Sequence, residues 1–170
     1  MASHTARARE EVIEPPASFL AAAFGGRPPA PKMLWLTKPL QERIAAVLGH
    51  PLAVLRLRYW DDGRRSAWIL EETGKSEPIT AGFVIEDGRL LRVSVLVYRE
   101  SRGYEIRYPQ FRAQFAGAGL DPQGRLDRRI DGISGATLSV DAMIRMARTA
   151  LVLDHWIRSG EAEATGSPRP

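Results

Sequence analysis

Cysteine is absent from this chain of 170 residues. Disulfide bonds, thiolate metal sites and cysteine nucleophiles are therefore excluded. Histidine is scarce, and His4, His50 and His155 lack the spacing of metal ligands, so we expect no metal centre. No apolar run reaches the length of a membrane span, and "FLAAAF" at 19–24 is too short for one. Glutamates precede that stretch, so the sequence shows no signal peptide and predicts no transmembrane segment.

The charge of the chain is nearly balanced, with 24 basic and 20 acidic residues and a formal net charge of +4. The densest basic cluster is "RLDRR" at 125–129, and no basic face carries interleaved aromatic residues. Nucleic-acid binding is therefore not expected. Hydrophobic residues make up 44% of the chain, which is typical of a globular protein, and the length suits a single domain.

The ends of the chain differ in composition from its middle. Residues 1–32 contain several prolines and a Gly-Gly pair without a sustained period, which predicts a poorly ordered lead-in. Residues 161–170 predict a disordered tail. The folded domain is expected over residues 33–160.

The middle of the chain predicts helices around an antiparallel sheet. Thr37, Pro39 and Gly49 are placed to begin and end a short helix with an apolar stripe. Alternating residues then predict a strand over 55–59 and a returning strand over 66–72, and residues 78–100 predict a hairpin that turns at Asp87-Gly88. "YEIRY" at 104–108 is a candidate further short strand. The sequence therefore predicts an α+β domain, an antiparallel sheet flanked by helices.

Two finer predictions concern side-chain positions in these elements. Leu91, Val93, Val95 and Val97 alternate and are expected to share one face of their strand. Phe111 and Phe115, four residues apart, predict a short helix with an aromatic face.

The stretch "DGISGATLSV" at 131–140 leads into the longest amphipathic segment, residues 139–158. Ser139 is a candidate N-cap and Asp141 would then lie in the first turn. The N-terminus of a long helix presents unpaired N–H groups, and small residues leave the backbone approachable, so a phosphate-bearing ligand is favoured. The alternative is an ordinary glycine-containing turn before a helix.

Three familiar motifs do not fit this stretch. A phosphate-binding P-loop needs a lysine after its second glycine, and none is present. A nucleophile elbow needs Gly-x-Ser-x-Gly, and this chain is one residue short. A dinucleotide fingerprint needs three spaced glycines after a parallel strand.

The motif "DGISGATLS" resembles the flavin-attachment motif of FMN-binding domains, such as the flavin subunits of the sodium-pumping quinone reductase and the Rnf complex. In that family a flavin transferase uses FAD and magnesium to join FMN, through a phosphoester, to the last threonine of Ser/Thr-Gly-Ala-Thr. The resemblance makes Thr137 the acceptor. The other residues that match the motif are Asp131, Ser134, Gly135, Ala136 and Ser139.

The resemblance extends upstream over about residues 74–150. In family members a Glu-x-x-Gly turn lies beside the flavin ring, and here the turn comprises Glu100, Ser101, Arg102 and Gly103, followed by Tyr104. Relatives usually have Thr-Pro in the middle of the turn, whereas this chain has Ser-Arg. "GKSEPIT" at 74–80 resembles the segment that opens the sheet in some relatives and places Lys75 near the flavin.

The resemblance implies an electron-transfer flavoprotein rather than a stand-alone enzyme, with FMN as cofactor. It implies a periplasmic or other extracytoplasmic location and, as partners, a flavin transferase and a redox protein or membrane electron-transport complex. Two alternatives remain open: a module that binds FMN without a covalent bond, and a flavin-free structural domain of a membrane-associated assembly.

Overall fold

Residues 10–160, the part of the chain that the computed structural model describes, form a six-stranded sheet with helices on both faces. All pairings are antiparallel, in the order β1-β6-β5-β4-β3-β2. The predicted α+β class is therefore confirmed. The strands are β1 (Glu11–Val12), β2 (Lys32–Trp35), β3 (Arg56–Asp61), β4 (Arg65–Thr73), β5 (Pro78–Glu86) and β6 (Arg89–Tyr98). The helices are α1 (Pro16–Ala23), α2 (Lys38–Leu48), α3 (Pro109–Arg112) and α4 (Thr137–Arg158).

The β5–β6 hairpin turns where the sequence predicts. Asp87 and Gly88 both have positive φ angles, 52° and 71°, as a two-residue turn that follows the twist of the strands requires. The pairing skips Leu91 and Leu96, so β6 bulges at both points. The prediction that the alternate residues of β6 share one face is therefore wrong: Leu91 is exposed, and Val97 packs on the opposite face from Val93.

One face of the sheet carries the main core. Alternate residues of β5, among them Ile79 and Phe83, pack against α4 on this side, and α2 packs against α4 in the same cluster. α4 also brings Met143 and Met146 into the same cluster. This packing holds the N-terminus of α4 at the end of the sheet where β4 ends and β5 begins.

The other face is covered by α1, where Phe19 is fully buried. A Cβ added at Gly82 would lie 2.6 Å from the Phe19 ring, so the glycine permits the close approach of helix and sheet. The prediction of a poorly ordered lead-in is wrong for residues 10–32, because β1 pairs with β6, α1 packs on the sheet and β2 begins at Lys32. Residues 1–9 and the tail, residues 161–170, lie outside the described part.

Helix α2 follows its sequence signals closely. Thr37 is at the N-cap position, Pro39 is in the first turn, and Gly49 ends the helix with a left-handed φ of 79°. Leu40 and Ile44 are fully buried on the predicted apolar stripe. The predicted helix is confirmed.

His50, the residue after the Gly49 cap of α2, ties this helix to the sheet. The Nε2 atom of His50 lies 2.8 Å from Glu72 Oε2, and its Nδ1 lies 2.9 Å from the Pro51 carbonyl oxygen. The bond to Pro51 and then the bond to Glu72 raise the pKa of His50 above its ordinary value, although burial and, to a lesser extent, Arg145 oppose this.

The His50 contact predicts a pH dependence of stability. A raised pKa in the folded state means that protonated His50 stabilises the fold below about pH 6.5 and that this contribution is lost as pH rises through the raised pKa. Half of the side chain is exposed, so we expect less than about 1 kcal/mol. Urea unfolding of wild type and His50→Gln at pH 5.5 and 8.5 measures this contribution. The same change in the free energy of unfolding between the two pH values in both proteins would contradict the prediction.

Candidate functional site

Three segments meet at the N-terminal end of α4 and enclose a cleft of about 610 Å³. They are the loop between β4 and β5, the turn after β6 and the first turn of α4. Eight of the eleven predicted site residues line the cleft. The lining residues are Lys75, Glu100, Ser101, Arg102, Gly103, Gly135, Ala136, Thr137, Leu138 and Ser139. The volume is within the range of small-molecule binding sites.

The carboxylate of Glu100 holds the β4–β5 loop in place. Its Oε1 accepts the backbone N–H groups of Lys75, Ser76 and Glu77 at 3.0, 2.6 and 2.7 Å. The Ser76 hydroxyl donates to Oε2 at 3.3 Å. Burial opposes ionisation of Glu100, but these donors outweigh it and lower the pKa of the carboxyl below its ordinary value. Glu100 therefore stays charged and positions the backbone of Lys75 beside the cleft.

The turn after β6 packs directly on α4. The Tyr98 hydroxyl donates a hydrogen bond to the Arg102 carbonyl oxygen. Gly103 has a left-handed φ of 86°, and a Cβ on it would lie 2.6 Å from Tyr98 Oη and 2.9 Å from Ser139 Oγ. Burial raises the pKa of Tyr98, so its hydroxyl remains a donor at neutral pH. These contacts bring residues 100–103 against the start of α4.

Helix α4 begins at Thr137, two residues before the predicted N-cap. Ala136 is at the N-cap, no side chain caps the helix, and its first turn contains no acidic residue. The prediction of Ser139 as N-cap is therefore wrong: Ser139 is buried against Gly103, and Asp141 lies beyond the first turn. The first intrahelical bond joins Val140 N–H to the Ala136 carbonyl oxygen, so the N–H groups of residues 137–139 precede the helical ladder.

Comparison with known protein families identifies this region. The family model of the FMN-binding domain matches residues 74–152, which span the β4–β5 loop, β5, β6 and most of α4. The chain contains an FMN-binding domain. The resemblance read from the sequence is confirmed at the level of this family, and FMN is the cofactor that the family binds. No curated protein matches the chain.

The cleft of the FMN-binding domain fits a phosphate-bearing flavin. The uncapped end of the 22-residue helix offers backbone donors and the positive end of its dipole to an anion. Gly135 has a φ of 80°, and no atom lies within 4 Å of the position of an added Cβ, so the backbone stays open to a ligand there. The side chains of Lys75 and Arg102 add positive charge. The N–H groups and the two positive side chains therefore suit the phosphate of FMN, and the positive charge also suits the anionic reduced form of the flavin ring.

Three predicted residues of the FMN-binding domain lie outside the lining of the cleft. Ser134 is exposed in the turn before α4. The Asp131 N–H donates to Gln114 Oε1 at 2.7 Å, so its backbone anchors the loop. The Tyr104 ring packs on Tyr98 with centroids 5.1 Å apart. Asp131 therefore acts here through the backbone and Tyr104 through packing.

Tyr104 also belongs to a segment whose predicted structure is wrong. Residues 104–107 form a 3₁₀ helix rather than a short strand. Gly103 precedes it with a left-handed conformation, and Ile106 is fully buried while its neighbours are not. The alternation of apolar and charged residues over 104–108 suggests a strand, but it is equally compatible with a 3₁₀ turn in which Ile106 alone is fully buried. Phe111 and Phe115 then pack edge to face at 5.6 Å, as their spacing predicts.

Two lining residues were not among the predicted site residues. Leu138 is half exposed on the first turn of α4, and Arg102 lies in the middle of the Glu-x-x-Gly turn. A leucine directly after the last threonine of the Ser-Gly-Ala-Thr stretch is the sequence signal for Leu138. Arg102 adds a guanidinium to the lining of the cleft.

A second cleft, of about 560 Å³, lies at the opposite end of α4. Its Arg158 donates to both carboxylate oxygens of Asp61 at 2.9 and 3.0 Å and lies 3.7 Å from Asp154. The charges here pair with one another. The cleft at the N-terminal end of α4 therefore remains the better site for an anionic cofactor.

The close contact at Gly103 gives a testable prediction. Gly103→Ala places a methyl group against Tyr98 and Ser139 and forces a positive φ on alanine, which is expected to destabilise the domain by about 1–3 kcal/mol. Gly132→Ala is the matched control, because no atom lies within 4 Å of its Cβ position and its φ is not positive. Urea unfolding measures both variants, and equal stability of the two would contradict the prediction.

Within residues 10–160, none of the helices combines the length and the apolar character that crossing a lipid bilayer needs.

Proposed function

We propose that the domain carries FMN bound covalently through a phosphoester at Thr137 and shuttles electrons between redox proteins outside the cytoplasm. The observation that carries this proposal is the position of Thr137. It is exposed at the first helical position of α4, lines the cleft, and stands at the acceptor position of the motif Ser-Gly-Ala-Thr.

The attachment requires a flavin transferase and FAD. The Thr137 Oγ forms a bond to the phosphorus of the FMN half of FAD and loses its proton, while AMP departs as the leaving group. The uncapped N–H groups at the start of α4 would be the donors to the attached phosphate, next to Thr137.

The other residues bind and orient the cofactor. FMN supplies the transfer of one or two electrons. Lys75 and Arg102 place positive charge at the cleft, which favours the anionic reduced flavin by Coulomb attraction. Glu100 keeps the Lys75 segment in place. A covalent bond suits a location outside the cytoplasm, where a dissociated cofactor is not readily replaced.

The test is the intact mass of the denatured protein after co-expression with a flavin transferase in the compartment where the transferase acts. We expect a gain of one FMN less one water, and yellow colour that persists on denaturation. An unmodified mass with colour lost on denaturation would replace the proposal by a non-covalent FMN-binding module. An unmodified, colourless protein would favour a flavin-free structural domain.

Location and partners are tested separately in the host cell. We expect an epitope-tagged chain to fractionate outside the cytoplasm and to cross-link to a redox protein or a membrane electron-transport complex. A chain found only with cytosolic markers would overturn the proposed location and leave the attachment chemistry intact.

A further inference from the structure

Strands β2 and β3 carry an exposed patch at the edge of the sheet. Register pairs Met33 with Arg58 and Trp35 with Arg56, and paired residues share a face. All four side chains are exposed, with half of Trp35 accessible. Helix α1 lies over β4, β5 and β6, so it leaves this part of the sheet uncovered.

The loop before β3 adds exposed apolar residues beside the patch, at the same edge of the sheet. Ala53, Val54 and Leu55 are three consecutive exposed residues, and Leu55 is 73% exposed. The loop adjoins β2, because the Leu36 N–H donates to the Leu55 carbonyl oxygen at 2.9 Å. A run of exposed apolar residues beside an exposed tryptophan marks an interaction surface.

The charge of the patch selects an anionic partner. The Arg56 guanidinium lies 5.6 Å from the centre of the Trp35 ring, and no carboxylate within residues 10–160 forms an ion pair with Arg56 or Arg58. Two copies that stacked through this face would bring four arginines together. Self-association through the patch is therefore disfavoured.

We propose that this patch, formed by Met33, Trp35, Arg56, Arg58 and the loop 53–55, docks the protein on an anionic lipid surface. Tryptophan and arginine suit the headgroup region of a bilayer, where an aromatic ring and a charged group are both accommodated. The aliphatic loop residues enter the acyl boundary, and the arginines bind lipid phosphates. A fluid bilayer accepts an irregular apolar loop, whereas a protein partner must supply a pocket for it.

Docking of this kind would hold an electron carrier at a membrane surface. It does not depend on the proposed covalent attachment, because no patch residue lines the cleft at the start of α4. Failure of one proposal therefore leaves the other intact.

The test uses the full chain, with and without flavin, and vesicles of phosphatidylcholine alone or with one third phosphatidylglycerol. We expect co-sedimentation with the anionic vesicles only, weakened by added salt. Leu55→Asp, and separately Arg56→Gln with Arg58→Gln, are each expected to weaken binding by about tenfold or more.

Two control variants match these changes. Leu91→Asp places a carboxylate at another exposed leucine, and Arg125→Gln with Arg129→Gln removes two exposed arginines elsewhere, so the net charge changes equally. Both controls are expected to bind like wild type. The proposal is overturned if wild type does not bind anionic vesicles, or if the controls weaken binding as much as the patch variants. Thermal unfolding of each variant verifies that it remains folded.

Discussion

Thr137→Val is expected to abolish covalent attachment of FMN completely. Valine has nearly the shape of threonine but no hydroxyl, so no phosphoester can form. Thr137 is exposed at the first helical position of α4, and its side chain makes no cap hydrogen bond whose loss would disturb the fold. The measurement is the intact mass of the denatured variant beside wild type, both co-expressed with a flavin transferase.

Thr37→Val is the matched control for that experiment. Thr37 also stands at the beginning of a helix, and its buried Oγ1 has no hydrogen-bond partner among the described residues. The same substitution there removes a hydroxyl without removing a bond, so full flavin attachment is expected. Flavin that remained covalently bound in Thr137→Val would show that another residue is the acceptor. Loss of attachment in Thr37→Val as well would show that the substitutions act through folding.

Glu100→Ala is expected to release the β4–β5 loop and to lower the free energy of unfolding by about 2–4 kcal/mol. Glu100 is only 8% exposed and its Oε1 accepts three backbone N–H groups, all of which would lose their partner. Urea unfolding measures the stability. Amide hydrogen exchange at residues 75–77 measures the release of the loop directly.

Glu105→Ala provides the comparison for Glu100→Ala. Glu105 is an exposed acidic residue five positions away, so its removal changes the charge equally and is expected to be nearly neutral. We also expect Glu100→Ala to weaken binding of free FMN, because Lys75 loses its fixed position beside the cleft. Protected amides at 75–77 in the variant would contradict the role of Glu100 as a positioning residue.

Because the pKa of Glu100 is lowered in the folded protein, the stability that Glu100 contributes depends on pH. A carboxyl whose pKa is depressed in the folded state stabilises the protein above its ordinary value of about 4.5 and loses this contribution as pH falls through the folded pKa. Glu100→Gln removes this ionisation. Acid unfolding of Glu100→Gln should therefore depend less steeply on pH than that of wild type below pH 4.5.

Features that depend only on residues close together in the sequence can be predicted from it. Gly49 ends α2, and Asp87 with Gly88 forms the hairpin turn, because each rests on backbone angles that few residue types adopt. The attachment motif likewise lies in one continuous stretch, and the α+β class follows from local periodicity. These signals act over a few residues, so no knowledge of the rest of the fold was needed.

Features that depend on distant contacts were missed. Helix α1 begins at a pair of prolines in a stretch with no sustained period, but Phe19 fills the space above Gly82, 63 positions later in the chain. The predicted N-cap of α4 is three residues too late, because Ser139 is a residue type that often caps helices and its burial beside Tyr98 and Gly103 depends on distant segments. The bulges at Leu91 and Leu96 change which face of the sheet the following residues of β6 occupy, and simple alternation along the sequence does not predict this change.

The fold class and the FMN-binding family follow from the sequence alone, and so does the place of Thr137 at the end of the Ser-Gly-Ala-Thr stretch. Three features depend on the tertiary structure. Glu100 holds the loop at 75–77, and Tyr98 and Ser139 pack against Gly103 in the turn after β6. The face of β2 and β3 that carries Arg56 and Arg58 stays uncovered. The reason is physical. Turn and helix signals are properties of short segments, whereas buried hydrogen bonds and exposed faces depend on which strands and helices pack together.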